Sequence, residues 1–483
     1  VSILSTYYSH ISGESTYTSL QGTSMSCPIT AGAAALLWSA NPGYSYQQIS
    51  QLLMDSADDI EGMNGGYIGK LGAGRVNLLR ALGDNEHQFP GEFPTLFDAV
   101  NSASDGDIVA IEGGITIEGI VTVLGREVEV LGGYSSDFTF RDPINNPTIL
   151  QGGLNSAVLK FFGTVENTTV VDGFVIQGGG GLQFSGIPYT GRYGGGVQLQ
   201  IASPTLRNLE ITGNSVGSTS VLGLGGGIMM NNSHAVLENV HVHGNTGIFG
   251  AGMFINNSTP TMTNCIIEDN PVITDNQSYM PQGGGIHLVN STVTMTNCEV
   301  SGHAGCEKGG GIFCSDASGL NMTGGLVNNN SAKLSGGGIH LSGGSLMLHG
   351  VQIDSNSNLP ASTFMAGAGL FAESASVSLD SVMVTNNTGN AGGGAVFKTC
   401  SQADVSHSVF AGNVGQFYGG AIHFDNSTAG TIDGNTIVEN EATFSGGAGI
   451  YVSGSAPDMS NNIIAYNVGG ASFANGVAAP AAP

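Results

Sequence analysis

Residues 283–303 read GGGIHLVNSTVTMTNCEVSGH, a glycine cluster followed by apolar and polar residues that alternate. Alternation with a period of two is typical of half-buried β-strands, and the stretch contains no run long enough for a helix with helical spacing. Glycine clusters of this kind mark corners where the backbone needs unusual dihedral angles or where a side chain does not fit. The stretch therefore predicts a short unit made of strands and turns.

This unit recurs along the chain at intervals of roughly 26 residues, which is the signature of a solenoid. The apolar residue after each glycine cluster marks the register at Val197, Ile228, Met253, Ile286, Ile312, Ile339, Leu370, Val396, Ile422 and Ile450. A second landmark follows it at Asn214, Asn245, Asn270, His303, Asn330, Asn356, Asn387, Asn413, Asn440 and Asn467. Stacked units place each strand in a parallel ladder and bring equivalent asparagines together as amide ladders. The predicted fold is mainly β, a parallel β-helix of about ten or more coils.

The composition disfavours several classes of binding partner and cofactor. Acidic residues outnumber basic ones by 36 to 11, giving a formal net charge of −25, which disfavours nucleic acid and anionic membranes. No apolar run of about 18 residues predicts a membrane span. The six cysteines lack CxxC or Cys/His metal spacing, so we predict no metal site and no cofactor.

Changes in composition along the chain predict five regions. A helical segment at 1–84 precedes a polar linker at 85–93, an N-terminal cap region at 94–150, the β-helix at 151–470 and a low-complexity tail at 471–483. The cap region begins with the pattern of a short helix, a DGD turn and a strand. Because the chain starts at Val1 and ends in VAAPAAP, we expect it to be part of a longer protein.

The helical segment contains the stretch GTSMSCPITAG at residues 22–32. The helix that starts there is apolar all round, which is typical of a helix buried in a larger domain. A second helix is predicted after Ser45, with Gln48 completing a capping box, and a short third helix begins in GRVNLLRAL. The 22–32 stretch resembles the GTSMAxPHVAG segment around the nucleophile of subtilisin-like serine proteases. The flanking VSILST and GRVNLLRAL resemble that family's preceding strand and closing element, so the resemblance covers roughly residues 1–82.

The resemblance implies that Ser24 is the catalytic nucleophile and that its backbone N–H is an oxyanion donor. Pro28 is expected in the first turn of the helix, where a missing N–H is tolerated. In the family the catalytic aspartate and histidine precede the serine, so both are expected outside this chain, and His10 is expected to be an ordinary loop residue. Without a base Ser24 is an unactivated alcohol, so we predict that these 483 residues alone do not hydrolyse peptides.

Residues 93–119, FPTLFDAVNSASDGDIVAIEGGITIEG, resemble the opening of right-handed parallel β-helix domains of bacterial surface and secreted proteins. This resemblance covers about 390 residues and specifies fold better than function. The sequence disfavours an enzyme that cleaves acidic carbohydrates. Such an enzyme needs a lysine or arginine base facing the sugar, and the β-helix has few basic residues, no two of which share a position in the repeat. Asp354 and Glu268 share a register but lie three coils apart, about 14 Å.

The residue after each register position forms a column with aromatic character. If Ile286 points inward, this column points outward and could bind a glycan or a protein through Phe254, His287, Phe313, His340, Phe371 and Phe397. The alternatives are that inserted loops cover the column or that the inward and outward faces are reversed. Cys265 and Cys298 share a register in neighbouring coils, which fits either a disulfide or stacked free thiols.

These observations predict part of a secreted bacterial serine endopeptidase, extracellular or on the cell surface, that cleaves a protein or peptide substrate. Its β-helix is expected to be a stalk or a binding module. The alternative is a surface adhesin or passenger protein with an inactive protease segment, and a carbohydrate-active β-helix enzyme is less favoured.

Overall fold

The fold is described from a computed structural model, which describes residues 3–9, 14–20, 23–57, 72–82, 86–184, 190–218, 220–275, 278–358, 367–426, 429–444, 446–454, 457–469 and 477–478. The chain divides into two compact units. The first comprises residues 1–87 and 103–108, and the second residues 88–102 and 109–483.

The first unit contains three helices and a strand pair. Helix α1 spans Thr23–Ala40, α2 spans Tyr46–Asp55 and α3 spans Leu78–Ala81. The strands Ile3–Ser9 and Glu14–Leu20 pair antiparallel. The sequence predicted the three helices and the first strand, whereas the second strand was not anticipated.

The helices meet in a small apolar core. Leu37 of α1, Ile49 of α2 and Ala81 of α3 are buried against one another, with Leu52 and Leu53 partly buried beside them. The predicted capping box at the start of α2 is confirmed. The Ser45 N–H donates to Gln48 Oε1 at 2.9 Å and the Gln48 N–H donates to Ser45 Oγ at 3.4 Å.

Three long sheets account for most of the second unit, and their strands stack parallel from coil to coil. Sheet 1 contains Val121–Leu124, Leu159–Val165, Val197–Ala202, Ile228–Asn231, Met253–Asn256, Ile286–Val289, Ile312–Ser315, Ile339–Ser342, Leu370–Glu373, Ala395–Lys398, Ile422–Asp425, Ile450–Ser453 and Val477–Ala478. Sheet 2 contains Glu86–Phe89, Ile108–Glu112, Glu129–Tyr134, Val170–Asp172, Thr205–Arg207, Val236–Glu238, Thr261–Thr263, Thr292–Thr296, Gly319–Thr323, Ser345–His349, Ser376–Asp380, Gln402–Ser406, Gly430–Asp433 and Asp458–Ser460. Sheet 3 contains Thr116–Glu118, Thr148–Gln151, Phe174–Gln177, Glu210–Thr212, His241–His243, Ile266–Glu268, Glu299–Ser301, Leu326–Asn328, Gln352–Asp354, Met383–Thr385, Val409–Ala411, Thr436–Val438 and Ile463–Ala465.

Shorter elements complete this unit. Helix α4 spans Leu96–Ser102, which is the short helix expected at the start of the cap region. Small sheets are formed by Leu182–Phe184, Gly191–Tyr193 and Gly223–Leu224; by Cys306–Lys308 and Ala332–Ser335; and by Thr388–Gly389, Val414–Gly415, Glu441–Ala442 and Val468–Gly469. Among the described residues of both units, no helix is long and apolar enough to cross a membrane.

Each full coil passes through sheet 1, sheet 2 and sheet 3 in turn and then starts the next coil. Ile286 is aligned with Ile312, which is aligned with Ile339, and all three are buried inside the rod. Period-two alternation in the strands supplies the inward residues, one from a short strand and two from a longer one such as Thr292–Thr296. The predicted right-handed parallel β-helix is confirmed.

The glycine clusters act as both predicted kinds of corner. Gly309 has a φ of +57°, a conformation that residues with a Cβ rarely adopt. Two positions later, a Cβ on Gly311 would lie 2.8 Å from the Gly338 carbonyl oxygen and 2.9 Å from Asn330 Nδ2. The cluster therefore lets the chain turn and then pass directly against the second landmark.

The second landmark forms the predicted ladder. Asn330 Nδ2 donates to Asn356 Oδ1 at 3.1 Å, and Asn356 Nδ2 donates to Asn387 Oδ1 at 3.0 Å. The same pattern joins Asn387 to Asn413 and Asn413 to Asn440. All ten members of the landmark are buried. Because burying an unpaired amide is costly, this ladder fixes the register of successive coils.

One assigned register position is wrong. Phe371 is aligned with Val396, and Ala372 is aligned with Phe397. In this coil the glycine cluster is followed by Ala395, so the alanine occupies the register position that the sequence pattern assigned to Val396. Phe397 therefore points into the rod, where its ring centroid lies 5.1 Å from that of Phe424.

Candidate functional site

The predicted nucleophile lies in the first turn of α1. The helix begins at Thr23, so Ser24 is its second residue, although its side chain lies outside what the structure describes. Backbone N–H groups in the first turn of a helix have no partner within the helix and favour developing negative charge. The position fits an oxyanion-stabilising role, and the catalytic role of Ser24 stays a prediction.

Pro28 lies inside α1 rather than in its first turn, which corrects the expectation from sequence. In an α-helix the N–H of residue 28 would donate to the carbonyl of Ser24, and proline has no N–H to donate. The first turn around Ser24 is therefore held by fewer helical hydrogen bonds than the rest of α1.

The sequence pattern of α1 is typical of a helix buried in a larger domain, and within this chain most of its described side chains are exposed. Only Ala33 and Leu37 are buried among the side chains of α1 that the structure describes. Ile29, Leu36 and Trp38 are 51%, 58% and 46% exposed. The apolar surface of α1 therefore remains largely uncovered. His10 lies outside the described residues.

The aromatic column is buried, so the prediction that it forms an outer binding surface is wrong. Phe254, His287, Phe313, His340 and Phe371 are each at most 5% exposed. Their rings follow one another at centroid distances of 5.3, 4.9, 5.1 and 5.0 Å along the rod. They form a continuous packed strip rather than a platform open to a ligand.

Residues that connect sheet 3 to the next strand of sheet 1 cover this column. Phe249 lies 5.2 Å from His287 between ring centroids, and Ser335 Oγ lies 2.7 Å from His340 Nδ1. Tyr418 lies 5.5 Å from His423 between ring centroids. The column does point away from the rod's interior, as alternation predicts, but the connections form a second layer over it. This was one of the two alternatives left open by the sequence.

Burial keeps the column histidines neutral. Desolvation lowers the pKa of His287 to about 3, that of His340 to about 3 and that of His423 to about 4. Both ring nitrogens of His423 are without a hydrogen-bond partner among the described residues. The part of the chain that the structure describes contains no group of three or more histidine, cysteine or acidic side chains placed to hold a metal ion.

The stacked cysteines are free thiols. A hydrogen bond with Cys298, together with burial, raises the pKa of Cys265. Cys265 Sγ also donates to the Leu237 carbonyl at 3.6 Å, and Cys298 Sγ donates to the Met262 carbonyl at 3.5 Å. The structure therefore favours the second of the two predicted alternatives, stacked thiols that take part in the hydrogen bonding of the coil turns.

One polar cluster on the rod was not anticipated from the sequence. His349 Nδ1 and His407 Nδ1 both lie 2.9 Å from the carboxylate of Asp380, and Ser406 Oγ donates to the same carboxylate at 2.9 Å. These hydrogen bonds, led by that from His407, lower the pKa of Asp380 to about 2. The only signal in the sequence is that His349 and Asp380 share a register in sheet 2, which requires the strand alignment to be known.

Comparison with known proteins separates the two parts of the chain. Residues 2–84 match the subtilase family, and residues 155–306 and 337–480 match the right-handed β-helix region family. The calcium-dependent proteases of Trichormus variabilis and of Nostoc sp. are each 36% identical to this chain over 69 residues. That match covers 13% of this chain and 10% of each protease, so the chain spans about a tenth of the length of these relatives.

Two solved structures align with most of the chain. The Dettilon tailspike protein aligns with a TM-score of 0.40 and 13% identity, over 80% of this chain and 69% of that one. The A-module of mannuronan C-5 epimerase AlgE6 from Azotobacter vinelandii aligns with a TM-score of 0.42 and 13% identity, over 76% of this chain and 92% of that one. The match to the β-helix region, the three parallel sheets and the asparagine ladder all indicate the same fold. The chain therefore belongs to the right-handed β-helix family and carries a segment of the subtilase family at residues 2–84.

Proposed function

We propose that residues 2–84 are the nucleophile-bearing part of a subtilisin-type serine endopeptidase, in which Ser24 attacks the scissile carbonyl of a protein or peptide substrate. The Ser24 hydroxyl proton passes to a histidine base as the acyl-enzyme forms, and the amine product leaves with a proton from that histidine. Water then hydrolyses the acyl-enzyme by the same route. In this proposal the histidine and its orienting aspartate come from outside these 483 residues.

The observation that carries the proposal is the subtilase match at residues 2–84, with Ser24 in the first turn of α1. The exposed Ile29 and Leu36 are seven residues apart and share one side of α1, which gives it an apolar face that fits packing against the remainder of a catalytic domain. Packing of this kind would place a histidine base and an orienting carboxylate beside Ser24. A helix exposed to water cannot supply these two groups by itself.

We further propose that the protein is extracellular or on the surface of a bacterial cell, with the rod as a stalk for the catalytic segment. The buried column and the ladder favour a rigid spacer, because the apolar side chains of each coil are covered by its neighbours and by the connecting layer. The non-enzymatic alternative is a surface adhesin in which the protease segment is inactive.

A chimera tests the catalytic proposal. The part of the Nostoc calcium-dependent protease that precedes its matched 69 residues is fused in front of this chain. We expect a fluorophosphonate probe to label the chimera and to leave the 483-residue chain unlabelled. Ser24→Ala should abolish labelling, whereas the matched control Ser26→Ala should retain it, because alanine is the usual residue at that position in the resembling motif.

Labelling that survives Ser24→Ala would refute the assignment of the nucleophile. A chimera that folds, as judged by circular dichroism, and is not labelled would favour the adhesin alternative. Ser24-dependent labelling of the 483-residue chain alone would contradict the view that the base comes from outside it.

A further inference from the structure

The first coil of the rod leaves one strand edge open. The strand Thr116–Glu118 is the last strand of sheet 3 in the stacking order, and among the described residues it pairs only with Thr148–Gln151. The neighbouring first strand of sheet 1, Val121–Leu124, packs against helix α4. The cap helix therefore packs against sheet 1 of this coil, while no strand of the described residues lies beside the outer edge of sheet 3.

Backbone hydrogen-bonding groups face that open edge. The Ile115 carbonyl accepts from the Ile149 N–H at 3.0 Å, and the Gly119 N–H donates to the Gln151 carbonyl at 3.0 Å. In a parallel ladder alternate residues direct their N–H and C=O groups to opposite neighbours. The N–H and C=O groups of Thr116 and Glu118 therefore point away from the rod, ready to pair with another strand.

An apolar cavity of about 690 Å³ lies on the inner side of this edge. It is lined chiefly by apolar residues of α4, of the segment before it and of the first coil, including Phe89, Leu96, Phe97, Ile115, Ile117 and Ile120. Ile117 heads the inward column that continues with Leu150 and Ile176, and it is half-buried where these two are buried. Phe97 and Ile120 are 49% and 41% exposed. The inner side is thus an apolar site that the chain's own described residues do not fill.

A polar groove of about 870 Å³ lies on the outer side of the same edge. Glu118, Gln151 and Gln177 share one outward register position in it, and Gln177 Nε2 donates to Gln151 Oε1 at 3.0 Å. The two cavities share Thr116, Glu118 and Gly119, so the edge strand separates an apolar side from a polar side.

We propose that this edge binds an extended segment of a separate polypeptide, which adds to sheet 3 as a parallel strand with alternating apolar and polar residues. Backbone bonds to Thr116 and Glu118 provide affinity, as in other cases of strand addition. Alternation sends the apolar side chains of the segment into the 690 Å³ cavity and its polar side chains to the outer groove beside Glu118. The exposed carboxylate and the net charge of −25 favour a basic segment.

The test measures binding of a fluorescein-labelled peptide, KVTVTVTK, to the full 483-residue chain by fluorescence polarisation. A peptide of the same composition with blocked order, KVVVTTTK, is the sequence control. Glu118→Pro removes an N–H from the open edge and leaves the pairing groups of Ile117 and Gly119 in place, whereas Glu118→Ala keeps that N–H. We expect saturable binding of the alternating peptide to the wild type and to Glu118→Ala. Glu118→Pro should weaken it roughly threefold to tenfold, the range for one lost hydrogen bond.

Equal binding of the two peptides, or equal affinity of the proline and alanine variants, would overturn the proposal. If the proline variant does not fold, hydrogen exchange on the wild type takes its place. Saturating peptide should then protect the amides of Thr116 and Glu118, and unchanged exchange there would refute strand addition. Sedimentation that shows a dimer competing with the peptide would replace the separate polypeptide with a second copy of this chain.

Discussion

Replacing His303 by asparagine tests how much the ladder contributes to the acid sensitivity of the rod. His303 is the one ladder member that is not asparagine. Its Nε2 faces the Asn270 amide nitrogen at 3.2 Å, and its Nδ1 faces Asn330 Oδ1 at 3.0 Å. These partners require a neutral ring that accepts at Nε2 and donates at Nδ1. Protonation would place two donors face to face between His303 and Asn270, and burial already lowers the pKa of His303 to about 4 from 6.5.

The sign and size of the effect follow from this pKa difference. Between the folded and unfolded pKa values the unfolded chain binds more protons, so the free energy of unfolding falls as the pH falls below about 6.5 and levels off below about 4. Wild type should lose about 1.8 kcal/mol from His303 between pH 7 and pH 5, and about 3 kcal/mol once the pH is well below 4. His303→Asn keeps the ladder bonds and has no group that titrates, so it should lose none of this.

Hydrogen exchange of the ladder amides suits the measurement, because solenoids unfold locally and a single global free energy is not well defined for them. The His303 N–H donates to Asn330 Oδ1 at 3.1 Å and reports local opening directly. His234→Asn, on the surface of the rod, is the matched control and should leave the pH dependence at the wild-type value. If His303→Asn retained the full wild-type loss between pH 7 and pH 5, His303 would not contribute to the acid sensitivity, which would then come from other buried histidines such as His287 and His340.

Two further predictions concern groups that the structure places inside the rod. Phe313→Ala should lower the local free energy of unfolding of its coil by about 3–5 kcal/mol because it empties a buried ring site. Hydrogen exchange of the Asn330 N–H, which donates to Asn356 Oδ1, checks this, and a change under about 1 kcal/mol would mean that the site is open to water. Cys27 is the one exposed thiol of the six, so a chromogenic disulfide reagent should modify one thiol in native protein and all six after unfolding. Rapid native modification of Cys265 or Cys298 would contradict their burial.

The structure of the coil could be predicted from the sequence because the same pattern of residue types recurs in each repeat. Alternation sets strand faces, glycine clusters set corners, and a buried amide recurs at a fixed place in the unit. Asn330 and Asn356 satisfy one another only if they stack in register, so a prediction from one coil is reinforced by the next. The same redundancy accommodates His303, whose ring supplies an acceptor and a donor at the positions where an amide would.

The covering layer could not be predicted because it does not repeat. Phe249, Ser335 and Tyr418 reach the column from connections that differ in length and sequence, so no periodic signal identifies them as its cover. The misplaced Phe397 has a related cause. The sequence pattern assigned the inward position to the first large apolar residue after each glycine cluster, which in this coil is Val396. In the structure the smaller Ala395 occupies that position.

The two parts of the chain also differ in whether their apolar side chains are covered by other residues of the same chain. This difference decides whether stability or reactivity can be measured on these residues alone. In the rod, the partner of each coil is the next coil of the same chain, so Phe313 and His303 are buried without outside help. In α1, the residues that would match the rod's inward column are Ile29, Leu36 and Trp38, and they face solvent. A local motif can therefore predict Ser24 as a nucleophile although the exposed side chains of α1 show no packing around it within the described residues. For this reason the stability of the rod can be measured on the chain itself, whereas reactivity at Ser24 has to be tested with a complementary catalytic domain in place.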